Sequence, residues 1–325
     1  MHRIIDANLN RAREGLRVLE DLARFEIDDA AISRELRAMR HAVGAMANGL
    51  TMRLLAARDV GRDVGAAAPT DSTDVVTANF KRVQEALRSL EECGLRRAAR
   101  LRFRAYDLEK HLVPRLFRAR RLRDACVYVL LTPDRWEHAV DCGADMVQLR
   151  APGMGVRALT RWGRRVRART RALLIVNNRP DLVEAIDADG VHLGATDPMI
   201  ADARRAMRAD RIIGATTHSL AEARRAKGAD YLSVGPMFPS NTKPGLRARG
   251  FAYVRAIHRL GPPVFAIGGV TPSRVPELRR AGVSRVAVCE AVTAARDPAR
   301  VVRALRKIRA PRARAGASGR GRPRT

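Results

Sequence analysis

Hydrophobic patterning divides this chain into two regimes. Up to about residue 120, apolar positions recur at helical spacing and strand-like runs are few. Leu16, Leu19, Leu22, Ala23 and Phe25 are expected to line one helix face, with arginines and acids on the others. Residues 61–65 and 66–69 read as linkers between two helical portions. From Val127 onward, short β-branched runs alternate with amphipathic stretches at the spacing of repeated strand–helix units. The predicted strands are 127–131, 146–149, 173–176, 191–193, 212–215, 231–234, 264–267 and 286–289. The predicted helices include 157–171, 198–208, 220–227, 251–260, 272–281 and 298–309, several of which start at proline or next to a hydroxyl residue. Eight parallel strands with intervening helices predict an α/β fold, a C-terminal (β/α)8 TIM barrel at 126–309 behind an all-α helical domain at 1–120. Residues 110–125 read as the end of a helix and a linker that carries the domain boundary.

The helical half contains an internal repeat. Asn8, Arg11, Glu14, Leu16, Arg17, Leu19 and Glu20 recur as Asn79, Arg82, Glu85, Leu87, Arg88, Leu90 and Glu91. The two copies predict equivalent helices of a pseudo-symmetric bundle. Arginines and acids three or four residues apart can pair along each helix surface. The functional alternative is that Asn8, Arg11, Asn79 and Arg82 converge on a phosphorylated ligand.

A net charge of +28 over 325 residues invites a nucleic-acid reading. Arginine outnumbers lysine 57 to 5, which points to compositional bias, and the charge is spread over both halves. Only residues 310–325 form a concentrated basic segment, without apolar periodicity, and they read as a disordered tail. Specific nucleic-acid binding is therefore not expected, although that tail on an inactive barrel would suit a nucleic-acid-binding or regulatory protein. A high positive charge also steers anionic substrates. No apolar run approaches the roughly 20 residues of a membrane span. The first residues, Met1 to Asp6, lack a signal-peptide core, so a cytoplasmic protein with no membrane partner is expected. Cys93, Cys126, Cys142 and Cys289 are too irregularly spaced for a disulfide framework or a metal cluster. A homo-oligomer is compatible with all of this.

Candidate chemistry gathers after the predicted strands. Residues 235–245 follow one of them and place Ser240, Asn241, Thr242 and Lys243 in consecutive positions framed by proline and glycine. Backbone N–H groups, two hydroxyls and one mobile cation suit a phosphate or pyrophosphate, although a solvated surface loop has the same composition. Other strands end in Gln148 and Arg150, in Asn177, Asn178 and Arg179, in Asp197, and in Thr216, His218 and Ser219. The last two end in Gly268 and Gly269, and in Cys289 and Glu290. Asp197 and Ser219 also fit as helix N-caps. A polar group at nearly every strand end predicts a functional mouth on that face of the barrel.

Taken in order, these residues resemble the thiamine phosphate synthase family over about 126–309. The matching stretches are Gln148-Leu149-Arg150, Asn177 with Arg179, residues 189–194 with Asp197, and residues 216–219. They continue with residues 229–231, residues 235–239 with Ser240, Thr242 and Lys243, residues 266–269, and residues 286–288. The resemblance implies a transferase of thiamine biosynthesis that joins hydroxymethylpyrimidine pyrophosphate to a thiazole phosphate, releasing pyrophosphate with Mg²⁺ as cofactor. It implies that Gln148, Arg150, Asn177 and Lys243 hold the pyrimidine pyrophosphate, with Arg150 and Lys243 catalytic on the leaving group. Asn178 and Asp197 would ligate Mg²⁺, and Thr216 would sit beside the pyrimidine ring. Ser240 and Thr242 would meet the thiazole phosphate, and Gly269 with the backbone at Cys289 and Glu290 would complete its site. Such chemistry needs no protein nucleophile; it needs the leaving pyrophosphate neutralised as its bond breaks.

The helical half resembles a domain fused ahead of such synthases in some bacteria, which implies a pyrimidine phosphate kinase step. The chain departs from the family pattern in three places. Ala151-Pro152 replaces the usual Glu-Lys, and Asn178 replaces an aspartate and so offers an oxygen without charge. Glu290 replaces a serine and would repel a phosphate if it pointed inward. The alternative enzyme is the related thiazole tautomerase barrel, with His218 as the acid–base group.

Overall fold

The computed structural model describes residues 1–57, 72–239, 248 and 250–309. It separates into two compact units, Met1–Arg121 and Leu122–Thr325. The expected linkers at 61–69 and the basic tail at 310–325 lie outside the described residues.

The first unit contains α1 (His2–Phe25), α2 (Ala30–Ala45), α3 (Thr51–Ala56), α4 (Ser72–Glu92) and α5 (Arg97–Arg123). On α1, Leu9, Ala12, Leu16, Leu19 and Ala23 are buried; on α4, Val76, Phe80, Val83, Leu87 and Leu90 are. Both sets recur every three or four residues, so each helix turns one stripe inward. The two stripes meet at Gly15, where a Cβ would lie 2.7 Å from Val83 Cγ2 and 3.2 Å from the Asn79 carbonyl oxygen. Phe25 does not join the α1 stripe and is 73 % exposed, under the Arg24 guanidinium. It stands nine residues from Leu16, about half a turn off the stripe at 3.6 residues per turn.

The repeat is structural. Asn8 Nδ2 donates to the Ile4 carbonyl (2.9 Å) and Asn79 Nδ2 to the Val75 carbonyl (2.7 Å), the same contact in both copies. Both asparagines are buried, and Arg82 Nη1 donates to Asn79 Oδ1 (3.0 Å). Two of the repeated acids reach the next helix: Glu20 is held by Arg37 Nε (2.7 Å) and Arg40 Nε (3.1 Å) of α2, and Glu91 by Arg102 Nη2 (3.0 Å) of α5, with Arg88 of its own helix at 3.7 Å. Pairing along the helix surface is closer at Arg17–Asp21 (3.2 Å) and Arg88–Glu92 (2.8 Å). At the start of α2, Asp29 accepts from Ala31 N and Ile32 N and caps the helix. The linker expected within 110–125 is helix instead. α5 runs through Pro114, whose ring removes one N–H, and the basic run behind it is helical to Arg123.

In the second unit the strands are β1 (Val127–Leu131), β2 (Met146–Leu149), β3 (Leu173–Asn177), β4 (Gly190–Leu193), β5 (Ile212–Thr217), β6 (Tyr231–Val234), β7 (Val264–Ile267) and β8 (Val286–Val288). All neighbours are parallel, and β8 pairs with β1 to close the barrel. Residues 132–145 form turns and pack Trp136, Ala139, Val140 and Cys142 into the outer core. The helices are α6 (Val156–Arg169), α7 (Val183–Ile186), α8 (Ile200–Ala206), α9 (Leu220–Arg225), α10 (Phe251–His258), α11 (Val275–Arg280), α12 (Glu290–Thr293) and α13 (Pro298–Leu305). Most match the periodic stretches but are shorter at their ends, where polar turns take over.

Alternation within each strand builds two cores. Val127, Val129 and Leu131 face outward with Val147, Leu149, Val191 and Val234 into the layer beneath the helices. Tyr128, Leu130, Met146, Ile175, Ile212, Tyr231, Phe265 and Ala287 fill the barrel itself. The bottom of the barrel repeats one device. Asp145, Asp189 and Asp230 each precede a strand and accept from the first N–H groups of the strand before it: Val127 N (2.9 Å), Leu174 N (2.7 Å) and Ile213 N (2.8 Å). Each also binds an arginine: Arg306, Arg167 or Arg204. These dyads anchor the starts of β1, β3 and β5.

Candidate active site

One parity of strand positions lines the mouth. Gln148 and Arg150, Asn177, His192, Thr216 and His218, Ser233 and Gly235, Ile267 and Gly269, and Cys289 all stand an even number of residues beyond barrel-filling positions of their own strands or of the adjacent register. They surround a cavity of about 560 Å³, within the range of small-molecule sites.

The cavity floor is a chain of hydrogen bonds. Gln148 Nε2 donates to Tyr128 OH (2.6 Å), Tyr128 OH meets Tyr231 OH (3.0 Å), and Tyr231 OH meets His192 Nδ1 (3.0 Å). His192 Nε2 meets Thr216 Oγ1 at 2.8 Å, with Ser233 Oγ 3.3 Å from the same nitrogen. One direction of donation satisfies every link. Gln148 gives to Tyr128, Tyr128 to Tyr231, Tyr231 to Nδ1, and the Nε2–H of a neutral imidazole to Thr216. A buried network with each member paired is rigid and holds Gln148 and Thr216 in place. The Tyr231 ring lies so close to Gly214 that a Cβ there would fall 2.0 Å from Cζ, so only glycine leaves room for this tyrosine.

Protonation of the chain agrees with that direction. Burial pushes both tyrosine hydroxyls upward, so they stay protonated donors. Burial, and then the charge of Arg150, lowers His192 to about 4. An imidazole free in the unfolded chain titrates near 6.5, so below that pH the unfolded state takes up a proton the folded state refuses. The resulting stability is present above pH 6.5 and lost as pH falls toward 4. NMR titration of the His192 ring is expected to stay flat from pH 8 to about 5; an inflection near 6.5 would contradict the neutral chain.

The predicted site residues do not all meet. Gln148, Arg150, Asn177, Thr216, Gly269, Cys289 and Glu290 line the cavity. Ser240, Asn241, Thr242 and Lys243 lie outside the described residues. Asn178 directly follows β3 and Asp197 lies in the turn beyond neighbouring β4, and neither lines the cavity. Asn178 adopts a left-handed φ of 63° that asparagine tolerates, and its N–H donates to the His192 carbonyl (2.9 Å). Asp197 is not a helix N-cap: α8 begins three residues later behind Met199, and the Asp197 carboxylate turns back to Gly194 N (2.5 Å). Ser219 does cap α9, accepting from Glu222 N (3.1 Å). One carboxylate and one amide oxygen beyond adjacent strands are hard donors. Mg²⁺ takes donors of this type and further oxygens from waters and substrate phosphates, and among the described residues no cluster of three or more His, Cys, Asp or Glu side chains could hold a metal.

Tyr128, His192, Tyr231, Ser233 and Arg274 were missed as site residues in sequence. The first four were legible in principle, because each is a polar residue at an inward position of a predicted strand. Arg274 had no such signal.

Residues 130–292 match the family described as thiamine monophosphate synthase, and residues 3–111 match the ThiD2 family. The thiamine-phosphate synthase of Thermosynechococcus vestitus is 40 % identical over 333 residues, spanning 94 % of this chain and 94 % of that one. The chain belongs to the thiamine-phosphate synthase family. The synthase of Gloeobacter violaceus is 41 % identical over 323 residues, spanning 92 % of this chain and 94 % of its own. Among solved structures, thiamine phosphate pyrophosphorylase from Pyrococcus furiosus matches with 36 % identity and a TM-score of 0.51, covering 56 % of this chain and 94 % of that chain. This synthase-family chain is thus matched along nearly its whole length, helical unit included, and the enzyme class is a transferase. No helix among the described residues is long and apolar enough to cross a membrane.

Proposed function

We propose that the barrel joins hydroxymethylpyrimidine pyrophosphate to a thiazole phosphate to form thiamine phosphate. The thiazole ring nitrogen forms a bond to the pyrimidine methylene carbon with its lone pair. The bond from that carbon to the pyrophosphate oxygen breaks, and its electrons leave with pyrophosphate. No protein atom needs to become covalently bound.

The observation that carries this reading is the cavity itself. Gln148, Arg150, Asn177 and Thr216, four residues of the family's pattern, line one chamber above a rigid polar floor. In this reading Thr216, fixed by His192, faces the pyrimidine. Gln148, Asn177 and Arg150 take the pyrophosphate, with Arg150 countering charge as it develops on the leaving group. Lys243, Ser240 and Thr242 are assigned to the phosphate groups by the family pattern. Asn178 and Asp197 would hold Mg²⁺, which when bound neutralises pyrophosphate oxygens.

The test is thiamine phosphate formation by the purified chain from the two substrates, with and without Mg²⁺. Product that depends on Mg²⁺ is expected. No product, with thiazole tautomer exchange still catalysed, would overturn the reading in favour of acid–base chemistry at His218, which also lines the cavity.

A further inference from the structure

Among the described residues, Arg274 is the second arginine of the cavity wall. It follows β7, while Arg150 ends β2, with β1 and β8 between those strands around the barrel. Its position is built. The guanidinium carbon lies 4.3 Å above the Phe238 ring, and Nη1 donates to the Gly269 carbonyl. Among the described residues that carbonyl is its one hydrogen-bond partner. A guanidinium carries five N–H donors in a fixed plane, so pinning one edge and one face leaves the other donors oriented for a planar or tetrahedral oxyanion.

The surroundings suit an anion placed close to backbone. Gly268 and Gly269 have φ of 94° and 62°, and Gly269 is without room for a side chain: a Cβ there would lie 2.6 Å from the Pro239 carbonyl and 2.8 Å from Arg274 Nη1. The Thr271 and Ser273 hydroxyls, 2.9 Å apart, line the same sector. Among the described residues the one carboxylate on the lining is Glu290, which follows β8 and so stands between the strands of Arg274 and Arg150. A phosphate entering here meets that negative charge and needs a cation to offset it.

We propose that the Arg274 guanidinium, held between Phe238 and the Gly269 carbonyl at the cavity wall, binds the phosphate of the thiazole substrate. Two phosphorylated substrates then have one arginine each, Arg150 for the pyrophosphate and Arg274 for the monophosphate, and Glu290 is tolerated because Arg274 lines the same sector. This rests on the synthase reading above.

The experiment compares wild type with Arg274→Met and Arg274→Lys, using thiazole phosphate and the corresponding thiazole alcohol as alternative acceptors. For Arg274→Met, KM for thiazole phosphate is expected to rise about 10- to 100-fold, the range for a hydrogen bond to a charged group. KM for the pyrimidine pyrophosphate stays within about twofold, and so does kcat/KM for the alcohol. Arg274→Lys recovers part of the loss, since it keeps the charge without the stacked fork. Equal losses for phosphate and alcohol would mean that Arg274 only braces the loop, and the proposal would fall. If wild type makes no product at all, the synthase reading falls first. Calorimetric titration with thiazole phosphate then decides the contact: weaker binding by Arg274→Met supports it, and equal binding removes it.

Discussion

Arg150→Ala is expected to lower kcat by about 10²- to 10³-fold, the usual cost of removing one group aimed at charge that develops in the transition state. The side chain lines the cavity at the end of β2, and its positive charge is felt by two other wall residues, His192 and Cys289, both of which it pulls downward. Cys289 nonetheless ends above its ordinary value, because burial is the larger effect there. A second readout follows from the same field. Without Arg150 the imidazole of His192 is expected to titrate above about 4, while remaining below its ordinary value because burial is the first cause of its depression. Steady-state kinetics and the ring titration together make the check. Unchanged kcat with a shifted His192 would mean that Arg150 is near the site but does not act on the leaving group. Arg150→Lys is expected to keep part of the rate, as a point charge without the bidentate fork.

The second large effect lies in the helical unit. Glu20→Ala is expected to destabilise the protein by about 3 kcal/mol, the lower end of the cost of breaking a buried ion pair. The lower end applies because Arg37 is about half exposed, whereas the Glu20 side chain is 2 % exposed. Urea denaturation of the full chain at pH 7 measures it, and a loss under about 1 kcal/mol would show that the pair contributes as a surface pair does. Burial pushes the Glu20 carboxyl up, but hydrogen bonds and charge from Arg37 and Arg40 outweigh it and leave the group below its ordinary value. The stabilisation is therefore fully present above about pH 4.5 and disappears as pH falls through the lowered value. Wild type should lose its advantage over Glu20→Ala across that window.

Much of this architecture was legible in sequence because alternation and helical periodicity are local signals. β1, β2, β6 and β7 begin and end where the apolar runs do. The repeat of Asn8 and Asn79 foretold equivalent helices, since a buried asparagine donating to the carbonyl four residues back needs only its own helix. The strand-end residues Gln148, Arg150, Asn177 and Thr216 announced the mouth for the same reason: strand parity decides which side chains turn inward. The misreadings have separate causes. Phe25 looked like part of a stripe until its half-turn offset is counted, and the helix through Pro114 is supported by packing of Leu108, Leu112 and Leu116, which no local signal reports. Asp197 had the composition of an N-cap, yet its carboxylate finds the Gly194 N–H first and α8 starts later.

By itself, then, the sequence determined the order of elements, the closed parallel barrel and the family-specific polar residues at its rim, because each follows from short-range periodicity or residue type. Tertiary structure alone decided three things. It joined Gln148 to Thr216 through two tyrosines and a neutral histidine drawn from β1, β4 and β6. It seated Arg274 against Phe238 and Gly269 at the cavity wall. It brought Glu20 and Glu91 to arginines on the next helix. Apart from the local Arg274–Gly269 contact, each of these pairs residues on different elements, and such a partner is set by barrel closure and helix packing rather than by neighbours in sequence.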